Sequence, residues 1–268
     1  MRRGVRIVVV SAVAVTLAAC SPSTTDAVRL PPTTGAFDYQ LGGGYDIAGP
    51  AVVVRDATAQ PMLGAYNVCY VNGFQTQPGE GNDWLREHGT AVLRDADGSP
   101  VTDPDWPDEY VLDPSTPAQR AAILDVTGPL VTDCARKGFD AVELDNLDTF
   151  TRFAQISMEG TLELARSYVL LAHDNGLAAG QKNAAEFTSQ GRALGFDFAV
   201  AEQCAVFDEC SAYSREYGAH VLQIEYVDDL AEPFEQVCSA PDRAPLTILR
   251  DRDLRPAGAD GYVLEQCP

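Results

Sequence analysis

The second half of the chain repeats one pattern of polar and apolar positions. Four segments, "RKGFDAVELD", "DNGLAAGQKN", "ALGFDFAVAE" and "EYGAHVLQIE", each place a glycine before a short apolar run. Seven residues on from Gly138, Gly176, Gly195 and Gly218 stand Asp145, Asn183, Glu202 and Glu225. Glycine just past a helix is the usual left-handed cap, because it has no Cβ to penalise positive φ. The stretch "STPAQRAAILDVTGPLVTDCARKG" ahead of the first unit has a helical period, with Pro117 in its first turn. The runs themselves suit parallel strands buried on both faces. The pattern predicts successive αβ units, each ending in a polar residue at the C-terminal end of its strand.

Further strand candidates begin at 37 ("FDYQLG"), 51 ("AVVVRD"), 62 ("MLGAYNVCYV") and 246 ("LTILRD"). With the four repeated units they make the eight strands of a closed (β/α)8 TIM barrel, an α/β fold that keeps its active site at the strand C-termini. The strand-like "DEYVLD" at 108–113 falls in a long insertion between the third and fourth strands. An open doubly wound sheet would carry a glycine-rich phosphate fingerprint at its first turn. "LGGGYD" at 41–46 lacks that spacing and reads as a turn.

The ends of the chain and its charge add the compartment. Residues 1–19 have a basic start, an apolar run and small residues before Cys20, the order of a secretory signal peptide. "LAAC" resembles a lipobox, so Cys20 is expected to carry a lipid anchor, with residues 20–34 forming a Ser/Thr/Pro-rich tether and 35–268 a single domain. No later stretch approaches the length of a spanning helix. The expected location is the extracellular face of a bacterial membrane, or the medium. Six further cysteines fit an oxidising compartment. Spacing favours Cys204 with Cys210, then Cys238 with Cys267, among the pairings that six cysteines allow. A zinc site is set aside, because there is no C-x-x-C and His88, His173 and His220 are scattered. No metal or cofactor is expected. The formal net charge of −20 argues against nucleic acid as a partner and would draw in a cationic ligand, although acidity also simply keeps an exported protein soluble.

No G-x-S-x-G elbow, P-loop or H-E-x-x-H is present. What remains are carboxylates at strand ends, and two of them across a cleft are what glycoside hydrolysis requires. Asp145 and Glu202 are so placed. Glu143 lies on the same side of its strand as Asp145 and reads as a structural carboxylate paired with a base, for which Lys182 is the candidate. Lys182 would also hold Asp145 ionised. Glu202, among "FAVA", is expected in apolar surroundings that favour its acid form.

These residues resemble a known family. "GFDAVELDNLD", "GLAAGQKN", "FDFAVAEQC" with "FDEC", "LQIEY" and "TILRDRD" look like glycoside hydrolase family 114, the endo-α-1,4-polygalactosaminidases, which have a (β/α)8 fold. By that resemblance Asp145 and Glu202 match the catalytic aspartate and glutamate, here read as nucleophile and general acid/base of a retaining enzyme. The substrate would be a cationic galactosamine polymer. Its contacts are expected from Gln40, Asp56, Tyr70, Glu143, Asn146, Lys182, Asn183, Gln203, Glu225 and Tyr226, with Glu225 suited to an ammonium group. A monomer is expected. A carbohydrate-binding barrel without catalysis, and a glycosidase with another α-galactoside specificity, stay open at this point.

Overall fold

The computed structural model describes Met1 and residues 28–268. Beyond Met1, the expected leader, the lipidated Cys20 and the tether up to residue 27 lie outside the described residues. Eight strands run parallel in chain order: β1 (Ala36–Gln40), β2 (Pro50–Asp56), β3 (Tyr66–Asn72), β4 (Ala141–Asp145), β5 (Ala178–Lys182), β6 (Phe198–Glu202), β7 (Val221–Tyr226) and β8 (Leu246–Arg250). A ninth, β9 (Leu264–Gln266), runs antiparallel to β8. Seven α-helices accompany them among the described residues: α1 (Gly81–Glu87), α2 (Pro117–Lys137), α3 (Thr149–Arg152), α4 (Met158–Asp174), α5 (Thr188–Leu194), α6 (Cys210–Tyr217) and α7 (Phe234–Ser239).

Strand alternation divides the apolar residues into two cores. Val54, Val68, Ala141, Ala178, Phe198, Val200, Leu222 and Ile248 point into the lumen and form one cluster. Their neighbours Val142, Leu144, Ala179, Ala199 and Ala201 point outward and pack with the helices. Helix α2 shows how local sequence sets the frame. Thr116 and Gln119 form a capping box, Pro117 occupies the first turn, and Gly138 ends the helix at φ 94° before β4 begins.

The barrel is nearly closed, and side chains complete it. In place of a ladder between β9 and β1, the Phe37 amide donates to Gln266 Oε1 at 3.0 Å and Gln266 Nε2 donates to the Gly35 carbonyl at 2.7 Å. Deeper in the seam the fully buried Arg250 donates to Asp38 Oδ1 at 2.8 Å and to the Tyr39 carbonyl. These contacts satisfy edge groups that would otherwise stay unpaired.

One expected boundary moves. The end of the presumed tether, from residue 28, belongs to the barrel: Val28 packs against the lumen cluster, Arg29 pairs with Asp140 and lies 4.8 Å from the Tyr66 ring centroid, and the Tyr66 hydroxyl donates to the Arg29 carbonyl at 2.6 Å. The Pro31 carbonyl meets His220 Nδ1 at 3.0 Å. All these partners sit at strand N-termini, where lumen side chains would meet water without a cover. The insertion is where it was expected, with Tyr110, Val111 and Leu112 bridging to Thr102, Gln75 and Val92.

Cys204–Cys210 and Cys238–Cys267 are bridged, and Cys69–Cys134 ties β3 to α2. Their separations are 6, 29 and 65 residues respectively. Loop-closure entropy assigns about 4 kcal/mol to Cys69–Cys134 and about 2 kcal/mol to Cys204–Cys210. Replacing each pair by alanines should therefore lower the denaturant midpoint most for Cys69/Cys134; a larger loss from Cys204/Cys210 would contradict the entropic ranking.

Candidate active site

Three adjacent strands finish in the same way. β4, β5 and β6 each end on a charged residue that shares the lumen face: Asp145, Lys182 and Glu202. The residue after each takes a left-handed backbone, Asn146 at φ 64°, Asn183 at φ 49° and Gln203 at φ 59°. Asn enters this region more readily than most residues. The chain turns away at once and leaves the charged side chain facing the barrel mouth. The turns are tied to their neighbours: the Glu202 amide donates to Asn183 Oδ1 at 2.8 Å, and Asn146 Nδ2 donates to Asn72 Oδ1 at 3.0 Å.

Lys182 lies at the centre, almost wholly buried. Its Nζ is 2.9 Å from Glu143 Oε1, 3.2 Å from Glu202 Oε2 and 3.4 Å from Asp145 Oδ2, and donates to the Tyr39 hydroxyl at 2.9 Å. Burial alone would drive this amine toward neutrality; Asp145, Glu143 and Glu202 outweigh it and hold the ammonium well above the ordinary lysine range. Tyr39 donates to Glu143 Oε1 at 2.7 Å, Tyr70 donates to Asp145 Oδ2 at 2.7 Å, and Tyr226 donates to Glu202 Oε1. Burial, reinforced by the carboxylates, raises all three phenols well above their ordinary value, so they remain protonated donors. Asp145 also accepts from the Asn146 amide at 2.6 Å. Glu143 has no exposure, and burial raises its carboxyl to about 7 against the pull of Lys182.

Of the residues singled out in the sequence, the lumen mouth gathers Asp145, Glu202, Lys182, Glu143, Tyr70, Tyr226 and Asn183. Asn183 Nδ2 donates to Glu202 Oε2 at 3.3 Å. Asn146, Gln203 and Asp56 stand at the rim with commitments of their own: Asn146 accepts from Arg152 at 2.9 Å, Gln203 donates to Asp229 at 2.5 Å, and Asp56 Oδ1 accepts from the Thr58 amide at 2.8 Å.

Two assignments are corrected. Glu225 is on the outer face of β7, fully buried, where Oε1 accepts from the Ala205 amide at 3.0 Å and from Gln223 at 2.8 Å. It anchors the loop after β6 and does not reach the mouth. Gln40 likewise lies off the lumen face of β1, buried between Asp38 at 2.9 Å and Arg55 at 2.9 Å. The surroundings expected of Glu202 also differ: the apolar residues of "FAVA" lie below it or outside, and its carboxylate meets Lys182 and Tyr226. Glu225 comes within 4.8 Å of Cys204 and Cys210, but those sulfurs are bonded to each other.

Further residues complete the mouth. Tyr39, which alternates with Phe37 in "FDYQ" and matches the family pattern only loosely, lies on the lumen face of β1. Asn72 pairs in register with Asp145 and reaches Glu109, a residue of the insertion, with Nδ2 to Oε2 at 2.8 Å. Burial raises the Glu109 carboxyl to about 7. Arg252 lies 4.1 Å from the Tyr226 ring centroid and pairs with Asp228 at 3.2 Å.

Comparison with known proteins bears on the family and on the fold. The sequence matches the model of glycoside-hydrolase family GH114 over residues 17–268. Among solved structures of similar fold, Aspergillus fumigatus Ega3 in complex with galactosamine aligns at 19% identity and a TM-score of 0.67, covering 91% of this chain and 100% of that one. The glycoside hydrolase domain of PelA from Pseudomonas aeruginosa aligns at 15% identity and a TM-score of 0.58, covering 84% of this chain and 96% of that one. Both likenesses show the barrel fold. No curated protein sequence matches the chain.

The buried carboxyls make stability depend on pH. Unfolded, Glu143 loses its proton near the ordinary 4.5; folded, it keeps it until about 7. Between those values the folded state binds more protons, so the contribution, full below about 4.5, is lost as pH rises to about 7. Glu109 acts in the same direction. Denaturation at a series of pH values should show wild-type stability falling through this window and a shallower fall for Glu143→Gln. An equally steep fall in that variant would remove Glu143 as a source of the slope.

Proposed function

The chain belongs to glycoside-hydrolase family GH114, and from that premise we propose that it hydrolyses α-1,4 linkages in a galactosamine-containing polysaccharide, with retention at the anomeric carbon. The observation that carries the mechanism is the single ammonium of Lys182 lying against both Asp145 and Glu202. Laid end to end at 3.4 and 3.2 Å, those two contacts keep Asp145 Oδ2 and Glu202 Oε2 within about 6.6 Å of each other. Retaining enzymes hold their carboxyl groups about 5 to 5.5 Å apart, whereas inverting ones need about 6.5 to 9.5 Å to admit a water.

Asp145 suits the nucleophile. Tyr70 and the Asn146 amide fix its two oxygens at 2.7 and 2.6 Å. Its carboxylate attacks the anomeric carbon while Glu202, having first taken up a proton from solvent, passes that proton to the departing glycosidic oxygen, leaving a glycosyl ester on Asp145. Glu202, now a carboxylate, takes a proton from water as that water attacks the same carbon and releases Asp145. Tyr226 and Asn183 orient Glu202 through both steps.

The substrate class rests on the family and on galactosamine in the similar Ega3 structure. The chain's net charge of −20 would attract a partly deacetylated, cationic polymer. A polymer substrate also fits export: the leader would carry the enzyme out and Cys20 would tether a monomeric barrel at the cell surface. None of the described helices is long and apolar enough to cross a membrane.

Asp145→Asn and Glu202→Gln should each lower kcat about a thousandfold or more while the protein stays folded, since each removes an ionisable function and little volume. Proton NMR of the first product from an α-linked galactosamine oligomer should show the α-anomer. An initial β-anomer would mean that Asp145 activates water, and the nucleophile assignment would be withdrawn.

A further inference from the structure

With Glu225 turned away from the mouth, the site needs another anion if it is to recognise an ammonium group. Asp103 is bound by Arg152 and by Gln75 at 2.7 Å, and Asp148 by Arg152 at 3.1 Å. Asp229 is held by Gln203 and Arg252. Each of these charges already meets a cation.

Glu109 differs. Its side chain is over nine-tenths buried, with 7% exposure, yet its hydrogen-bond partner among the described residues is the neutral amide of Asn72, at Oε2. Its second oxygen has no partner among those residues. Asn72 shares the lumen face of β3 with Tyr70 and stands in register with Asp145, which puts Glu109 one hydrogen bond above the layer that holds the carboxylates. The nearby Arg152 is committed to Asp103 and Asp148. Trp106, 55% exposed, begins the same turn, its carbonyl accepting from the Glu109 amide at 2.9 Å.

We propose that Glu109, presented by the insertion between β3 and α2, binds the C2 ammonium of an amino sugar in the cleft beside Asp145 and so selects galactosamine over its neutral counterpart. Burial, reinforced by Asp145 and Asp103, raises the Glu109 carboxyl to about 7 against the pull of Asn72 and Arg152; an incoming cation in direct contact favours the ionised form. Asn72 is a positioning residue, fixing one oxygen and leaving the other for the sugar. The inference rests on the substrate reading above and names the residue that enforces it.

The test uses galactosamine and galactose as competitive inhibitors of the full enzyme acting on a galactosamine oligomer, since the two share a ring and differ at C2. Glu109→Gln keeps the volume and the acceptor for Asn72 but removes the charge. The inhibition constant for galactosamine should rise about tenfold or more relative to that for galactose, as expected for a lost charge-assisted contact. Glu109→Met repeats the test if the Gln variant does not fold. Equal changes for both sugars, or none, would overturn the inference while leaving the glycosidase reading intact. A wild-type enzyme that cleaves no galactosamine polymer would instead overturn the substrate reading, and this inference with it.

Discussion

One buried ammonium organises the mouth of this barrel. Lys182 has three protons to give and four oxygens around it, from Tyr39, Glu143, Asp145 and Glu202. Three carboxylates gathered without it would repel one another in a medium that screens them poorly. Removing the cation from such a group leaves uncompensated buried charge, which typically costs about 3 to 5 kcal/mol. The two carboxylates at the strand ends thus share contact with one ammonium. Glu143 gives Lys182 its lower attachment, so Asp145 and Glu202 can keep part of their surface free toward the mouth.

Such a cluster needs a rigid frame, and the frame has two parts. Around the wall, parallel ladders fix β3 through β6 in register, and the left-handed turns at Asn146, Asn183 and Gln203 stop each strand at the residue that bears the charge. At the opening between β9 and β1, Arg250 and Gln266 replace missing ladder bonds. Tyr39 connects the two parts: its carbonyl accepts from Arg250 at the seam, and its hydroxyl bonds Lys182 and Glu143 in the lumen. A loosened seam would therefore reach the carboxylates through one side chain.

The repeated units were legible because a glycine cap followed by an apolar run has a local cause, and the placing of Asp145 and Glu202 at strand ends rested on it. Which face a residue takes depends on one residue of spacing. Gly138 to Ala141 and Gly195 to Phe198 are equally spaced, and both lead to lumen positions. Gly176 to Ala178 is one residue shorter, so that Lys182 and not Asn183 is the inward end of β5. Gly218 has φ 60° and ψ −125°, a different turn, and the first lumen residue after it is Leu222, one residue later. That shift sends Glu225 outward and brings Tyr226 in. Gln40 was misplaced for a related reason: a polar residue at a strand end looks like a site residue whether its partner is a substrate or, as here, the buried Arg55. Glu109 had no local signal at all, since its place depends on how a long insertion folds back onto Asn72.

The two groups of acidic residues differ in what they need from a ligand. The carboxylates on the barrel strands have an internal cation, so they can be assembled before any sugar arrives. The insertion offers Glu109 with a neutral partner, and its charge is completed from outside. Selection and chemistry thus fall on different segments of the chain: the strands share register and cannot shift one residue without losing Lys182 from the centre, whereas the insertion is bounded by Asn72 and the capped start of α2 and can change in length between them.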